Sequence, residues 1–242
     1  MSNVVVYLDP LLFAAVPYAV FLSFFIFTIH RYRAEAFTYS SLSSQFLENR
    51  THFWGLAPLH FGLIVVLLGH VVAFLVPRQI LLWNSQPLRL YILEVTALVF
   101  GLLAVIGLAG AMVRRFSDPK VLVVTSLLDW VIEALLLLQA ASGVYVAVFH
   151  PWGSSWFAAA VVPYLWSLLR FHPDISFIAA MPFAAKLHIV NFYLLIGLFP
   201  FTRLVHILVI PNPYLWRKPQ VVRWYGAARA VAGETARTGV RP

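Results

Sequence analysis

The chain has 242 residues, of which 62% are hydrophobic and 11% charged, and its mean hydropathy is +0.85. A soluble domain of this size has too little polar sequence to cover so much apolar surface, so lipid must surround most of the chain. The absence of cysteine excludes disulfides, thiolate metal sites, iron–sulfur ligation and covalent c-type haem attachment, and the net charge of +8 favours a basic cytoplasmic face over nucleic-acid binding.

Five stretches have the ~20 apolar residues that a helix needs to cross the hydrocarbon of a bilayer. They run over about residues 11–29, 53–76, 90–113, 127–149 and 187–210. Because lipid offers the backbone no hydrogen bonds, these stretches predict an all-α bundle of five transmembrane helices. Residues 152–185 contain a shorter apolar run broken by Arg170, Pro173 and Pro182, which predicts an interfacial or re-entrant segment, with a sixth span as the alternative. No basic n-region begins the sequence, so we expect no cleavable signal peptide.

Basic residues follow the first and third spans and fill the C-terminal tail. With five spans these regions lie on one side, which predicts an external N-terminus and a cytoplasmic C-terminus in the cell membrane. We divide the chain into a membrane domain, residues 1–223, and a basic tail, residues 224–242.

The histidines carry the chemical signal. Of the eight, His30, His52, His150 and His172 lie at predicted helix ends or in loops and are interpreted as interfacial side chains. The other four lie inside spans, with His60 and His70 in the second and His188 and His206 in the fifth. Ionisable groups in membrane helices are rare and face the bundle interior.

Spacing sharpens this pattern. His188 and His206 are eighteen residues apart, which in a continuous helix is five whole turns, or roughly 27 Å. His60 and His70 are ten apart, roughly 15 Å with an offset of about 80°. The two spans run in opposite directions, so His60 pairs with His206 near the cytoplasm and His70 pairs with His188 toward the outside. Each pair could hold one iron between two imidazoles, an arrangement that suits electron transfer.

Neighbouring residues allow two interpretations each. Gly62 and Gly69 could admit a flat macrocycle, although ordinary helix packing through small residues explains them more simply. Arg203 could bind a haem propionate or extend to the interface. Three carboxylates lie near span ends: Glu94 is expected at the interface, with proton transfer as the lesser alternative, and Asp129 and Glu133 are expected to have structural or docking roles.

Several segments resemble the gamma subunits of membrane-bound respiratory nitrate reductases. They are residues 43–47 (SSQFL), the histidine-containing stretch 59–70, residues 114–119 (RRFSDP) and residues 198–207 (LFPFTRLVHI). The resemblance covers about residues 40–223 and is weak in the first span and in residues 152–180.

This resemblance implies a subunit that oxidises quinol and passes electrons through two b haems. His70 and His188 would bind the distal haem, and His60 and His206 the proximal one. An iron–sulfur beta subunit and a molybdenum-containing alpha subunit would receive the electrons on the cytoplasmic side. The family has a lysine at the quinol site in the outer loop after the second span, and Arg89 stands nearby in this sequence as a candidate replacement.

Other functions stay open at this point. Related haem subunits serve nitrite oxidoreductases, in which electrons run the opposite way, and sulfur-metabolism complexes. A proton or metal-ion transporter could use the same histidines, but it would need facing carboxylates, and the middles of the second and fifth spans contain none. A purely structural anchor would tolerate replacement of His60 or His206.

Overall fold

The computed structural model describes residues 8–35, 38 and 52–208. Within these ranges the ordered elements are all helical, which confirms the all-α prediction. The helices are α1 Leu8–Ala34, α2 His52–Leu75, α3 Pro77–Asn84, α4 Pro87–Ser117, α5 Pro119–Val123, α6 Leu127–Phe149, α7 Gly153–Leu169, α8 Ser176–Ala179 and α9 Phe183–Leu198. The predicted tail, residues 224–242, lies outside the described residues.

Five helical stretches of the described chain are long and apolar enough to cross a membrane. They are Leu8–Ala34, Leu56–Leu75, Pro87–Ser117, Leu127–Phe149 and Phe183–Phe201. The protein is therefore a multi-pass membrane protein. Helix α7 is apolar but shorter than any of these spans. It occupies the region for which an interfacial or re-entrant segment was predicted.

Proline and serine set several helix boundaries. Pro87 stands in the first turn of α4, where its missing N–H costs no hydrogen bond. Ser126 precedes α6 and forms a capping box with Asp129: the Ser126 hydroxyl accepts from the Asp129 amide at 3.2 Å, and the Asp129 carboxylate accepts from the Ser126 amide at 2.9 Å. These local signals explain why the third and fourth spans begin where they do.

The fifth span differs from its prediction. A single helix through His206 was expected, but this prediction is wrong, because α9 ends at Leu198. Pro200 cannot donate to the helical ladder, and Thr202 is extended, with φ −111° and ψ 177°. The chain then continues as a 3₁₀ turn over Arg203–Leu208. His188 and His206 therefore lie on separate helical segments, and the five-turn relation between them does not hold.

The helices pack in a series. Helix α2 lies along α4, α4 contacts α6, α6 contacts α9, and α9 contacts α1. The α2–α4 contact is close at Gly62, where an added Cβ would lie 2.5 Å from the Ala104 backbone nitrogen. Within the described residues, α2 does not pack along α9 or α1, so the two histidine-bearing spans are not direct helix–helix neighbours.

A buried cluster joins α7 and α8 to α1 and α9. Its members are Phe13, Tyr164, Leu168, Ile178 and Tyr193. The Tyr164 hydroxyl donates to the Phe13 carbonyl at 2.7 Å, so in its 2.7 Å contact with Tyr193 it must accept. This chain of hydrogen bonds satisfies both buried hydroxyls and holds α7 against the first part of α1 and the second half of α9.

Candidate functional site

The two histidines of α2 share one arrangement. His60 Nδ1 lies 2.7 Å from the Leu56 carbonyl oxygen, and His70 Nδ1 lies 2.8 Å from the Val66 carbonyl oxygen. Each acceptor is four residues back, one helical turn below its ring. Helix α2 is continuous from His52 to Leu75, so the expected axial separation of roughly 15 Å between the two histidines holds. Both side chains are exposed on the helix surface.

His188 is held by side chains of α6. Its Nδ1 lies 2.9 Å from the Ser142 hydroxyl, and its Nε2 lies 3.0 Å from the Gln139 amide nitrogen. Asn191, one turn further along α9, donates to the Gln139 amide oxygen at 2.7 Å. A Cβ added at Gly143 would lie 3.0 Å from the His188 ring, so this glycine makes room for the imidazole.

The His70 ring has an aromatic neighbour from α7. It makes an edge contact with Phe157, with ring centroids 5.1 Å apart. Helix α7 therefore lies beside His70, and Phe157 is a neighbour that sequence reasoning did not identify.

His206 sits in the 3₁₀ turn that follows the break in the fifth span. Its Nδ1 lies 2.6 Å from the Arg203 carbonyl oxygen, three residues back. Thr202 stabilises the turn, because its hydroxyl accepts from the Leu204 amide at 3.2 Å. Arg31 of α1 donates to the carbonyls of Pro200 and Thr202, at 2.5 and 3.1 Å, and so holds the break itself.

Three of the four histidines thus share one tautomer. A carbonyl oxygen can only accept, so His60, His70 and His206 must each carry their proton on Nδ1. In the described part of the chain, no hydrogen bond reaches Nε2 of these three residues. An imidazole that donates through Nδ1 presents the Nε2 lone pair to a metal, which is the usual arrangement of a metal-ligating histidine.

Three of the four histidines leave Nε2 open for a haem iron, whereas both ring nitrogens of His188 contact α6 side chains. A haem with two axial histidines needs one imidazole on each face. Helix α2 carries His60 and His70, α9 carries His188, and the 3₁₀ turn after α9 carries His206. A Cβ at Gly69, beside His70, would meet nothing within 4 Å, whereas Gly62 is filled by α4. The two glycines are therefore not equivalent: Gly62 serves helix packing, and Gly69 borders open space. Among the described residues, no cluster of three or more His, Cys, Asp or Glu side chains suits a metal ion.

Arg203, expected near a propionate, forms a two-point ion pair. Its Nε and Nη2 lie 2.7 and 2.8 Å from the two carboxylate oxygens of Asp129. A second pair joins Arg115 to Glu133 at 2.7 Å. Both pairs connect helix ends at the end of the bundle where α6 begins, which we call the basic end. Asp129 and Glu133 therefore have structural contacts within the chain.

Arg89 and Glu94 lie in the first turns of α4, at the opposite end. Arg89 is exposed and its guanidinium lies 5.3 Å from the centre of the Trp83 ring. The Glu94 carboxylate accepts from the Ser154 amide at 2.9 Å and from the Ser154 hydroxyl at 2.6 Å. Glu94 thus fixes the start of α7, a contact that the sequence did not reveal.

Comparison with known proteins shows the family of the chain. Residues 9–225 match the family described as nitrate reductase gamma subunit. The nitrate reductase gamma chain of Bacillus subtilis (strain 168) is 33% identical over 217 residues, covering 88% of this chain and 97% of that protein. The respiratory nitrate reductase 1 gamma chain of Escherichia coli (strain K12) is 30% identical over 222 residues, covering 90% and 98%.

The match begins at residue 9 and so includes the first span, where the resemblance read from the sequence was weak. The matched range contains all five spans. Such an alignment extends over nearly the full length of both chains and is not confined to a short motif. The chain belongs to the nitrate reductase gamma subunit family.

Proposed function

We propose that this chain is the membrane cytochrome b subunit of a respiratory nitrate reductase complex, which oxidises quinol and delivers the electrons to an iron–sulfur subunit. Family membership supports the oxidoreductase complex and the membrane location. The observation that carries the haem assignment is the shared Nδ1–H tautomer of His60, His70 and His206, with Nε2 left for a ligand.

The ligands divide into two pairs. The antiparallel course of the second and fifth spans pairs His70 with His188, which would hold the distal haem. His60 and His206 would hold the proximal haem, nearer the basic end. When bound, the two haems would supply one-electron carriers, and ligation of each by two histidines would suit electron transfer. The hydrogen bonds at Nδ1 orient each ring and raise its basicity as a ligand.

The direction of the reaction follows from the charges. Arg31, Arg115 and Arg203 mark the basic end, which the positive-inside rule places in the cytoplasm. Oxidation of a quinol at the opposite end yields two electrons and two protons, and the protons leave to the outside. Electrons that cross toward the basic end then build membrane potential, at about 2.3 kcal/mol per charge for each 100 mV. An iron–sulfur beta subunit and a molybdenum-containing alpha subunit would dock at this end.

Arg89 is the proposed quinol-site residue. It is exposed at the non-basic end, where its charge can contact a quinol oxygen while Trp83 supports the guanidinium. We expect Arg89→Ala to raise the KM for quinol and to leave the haem potentials unchanged. Arg78→Ala is the matched control, because Arg78 is also exposed at that end. Equal kinetics of the two variants would remove Arg89 from the quinol site.

The haem assignment is tested on the purified complex. The measurements are the reduced-minus-oxidised spectrum and the pyridine-haemochrome stoichiometry. Wild type should contain two b haems per chain, and His70→Ala should retain one. His172→Ala is the control, since His172 is exposed in the loop after α7 and should leave both haems in place. A well-folded wild-type complex with no haem would refute the electron-transfer function.

A further inference from the structure

The 3₁₀ turn that carries His206 is not part of helix α9. Helix α9 ends at Leu198, and Thr202 is extended between the helix and the turn. A short 3₁₀ turn has poorer hydrogen-bond geometry than an α-helix and provides little stability of its own. Thr202 and Val205 are nevertheless buried, with 4% and 0% of their surfaces exposed. Contacts with other parts of the chain must therefore hold the turn in place.

Arg203 joins this turn to the start of α6. Its carbonyl oxygen accepts the Nδ1–H of His206 at 2.6 Å. Its guanidinium lies 2.7 and 2.8 Å from the two carboxylate oxygens of Asp129 and donates to the Val124 carbonyl at 3.0 Å. A planar guanidinium that binds both oxygens of a carboxylate has a defined orientation. One residue therefore contacts the His206 ring through its backbone and α6 through its side chain.

Asp129 is itself held in place by α6. Its side chain is 6% exposed, and it accepts from both the amide and the hydroxyl of Ser126, each at 2.9 Å. Removing one partner of a buried ion pair leaves an uncompensated charge in an apolar setting, which is strongly unfavourable. The ion pair thus attaches the turn to a carboxylate whose own position is fixed by the capping box.

We propose that Asp129 is a positioning residue for His206. By binding Arg203 it holds the 3₁₀ turn on the start of α6, and the Arg203 carbonyl then orients the imidazole through its Nδ1–H. In the described part of the chain no hydrogen bond reaches Nε2 of His206, so the nitrogen that the proposed function assigns to the proximal haem is open. This inference rests on the proposed function for what His206 binds, whereas the contacts that support it lie within this chain.

Glu133, one turn further along α6, provides a matched control. Its ion pair with Arg115 has the same 2.7 Å distance as that of Asp129 with Arg203. The side chains of the two pairs are also similarly exposed, at 23% and 7% for Arg115 and Glu133 and at 25% and 6% for Arg203 and Asp129. Arg115 belongs to α4 and not to the turn. A general effect of breaking a buried ion pair should therefore appear at both sites, and a positioning effect only at Asp129.

The experiment is amide hydrogen–deuterium exchange of the assembled complex, followed by mass spectrometry over residues 203–207. Asp129→Asn should increase exchange there by about tenfold or more, because the turn can then open locally. Glu133→Gln and Ser126→Ala should leave exchange in these residues as in wild type, since Ser126→Ala removes a cap hydroxyl and keeps the Asp129 carboxylate. Arg203→Lys keeps the charge and loses the planar fork, so it should increase exchange by a smaller factor and serves if Asp129→Asn does not assemble.

The proximal haem gives a second measurement on the same samples. Loss of a residue that orients a metal-binding histidine weakens binding of the metal group by about 10–100-fold. The EPR signal of a low-spin haem with two axial histidines also depends on the orientation of the imidazole planes. We therefore expect Asp129→Asn to weaken or shift the proximal signal and to leave the distal signal unchanged. Glu133→Gln and Ser126→Ala should leave both signals unchanged.

Faster exchange together with an altered proximal signal, confined to the Asp129 and Arg203 variants, would support the assignment. Unchanged exchange in Asp129→Asn, or an equal increase in Glu133→Gln or Ser126→Ala, would overturn it. Faster exchange with an unaltered proximal signal would also overturn it, because the turn would then be held without consequence for His206. Absence of haem from the wild-type complex would instead refute the proposed function, and the exchange comparison would still decide whether Asp129 holds the turn.

Discussion

Gly62 provides the most direct test of the helix arrangement. A Cβ at this position would lie 2.5 Å from the Ala104 nitrogen and 2.6 Å from the Phe100 oxygen. Both are backbone atoms of α4, so no side-chain rotation can relieve the contact. To restore van der Waals separation in Gly62→Ala, α2 and α4 must move apart by about 1 Å. Overpacking of this kind costs about 1–3 kcal/mol.

Gly69, seven residues later on the same helix, is the matched control. A Cβ there meets nothing within 4 Å. Gly69→Ala should therefore show only the gain in helix propensity, about 0.5–1 kcal/mol in the stabilising direction. The assay is SDS titration of the purified complex in mixed micelles, with near-UV circular dichroism and tryptophan fluorescence as probes.

The two variants should differ in opposite directions from wild type. Gly62→Ala should unfold at lower SDS and Gly69→Ala at the same or higher SDS. If both variants unfold together with wild type, the close approach of α2 to α4 is refuted. If Gly69→Ala is the more destabilised, the two faces of α2 have been assigned the wrong way round.

Two further predictions concern ion contacts between α1 and the fifth span. Arg31→Met removes the hydrogen bonds to the carbonyls at the helix break and should lower the content of the proximal haem, which His206 would bind, more than that of the distal haem. Arg33 is exposed, so Arg33→Met should leave both haem contents unchanged. The reduced-minus-oxidised difference spectrum measures the content of each haem. Lys186 pairs with Asp9 at 2.5 Å, both largely buried, so either Lys186→Met or Asp9→Asn alone should cost about 3–5 kcal/mol. The double variant should recover most of that loss in SDS titration, and simple additivity of the single effects would contradict the pairing.

The spans were largely predictable from the sequence. Residues 127–149 were predicted as the fourth span and form α6 with the same bounds. Long apolar runs specify membrane helices because lipid leaves the backbone no other way to satisfy its hydrogen bonds. The third span begins and ends outside its predicted limits, at Pro87 and Ser117. Hydropathy identifies the apolar part of a helix. It does not detect polar turns at the helix ends, which continue the same backbone hydrogen bonding.

The break in the fifth span was not predicted, although Pro200 was visible. Proline within a membrane helix is often accommodated when neighbouring groups satisfy the freed carbonyls. Here Arg31, more than 160 residues away in sequence, satisfies the Pro200 and Thr202 carbonyls by donating hydrogen bonds to them. Such a contact depends on α1 and the end of α9 lying together, which no local pattern specifies.

The ion-pair and hydrogen-bond partners of the polar residues were also not predictable from local sequence patterns. Sequence suggested a structural role for Asp129 but not that Arg203 would be its partner. The polar pair Gln139 and Ser142, three residues apart in an apolar span, was a signal that could have been used. Residues three apart share a helix face, and polar residues on one face of a membrane helix indicate a buried contact.

The sequence by itself determined the lipid environment, the five spans, the absence of cysteine-based cofactors and the four membrane histidines, because each depends on composition or on spacing along one helix. Tertiary structure decided what surrounds those histidines. It placed Ser142 and Gln139 on His188, ended α9 at Leu198 and paired Arg203 with Asp129. These contacts join residues on different helices, and the packing of one helix on another is fixed by side-chain fit across the whole bundle, which a one-dimensional pattern does not contain.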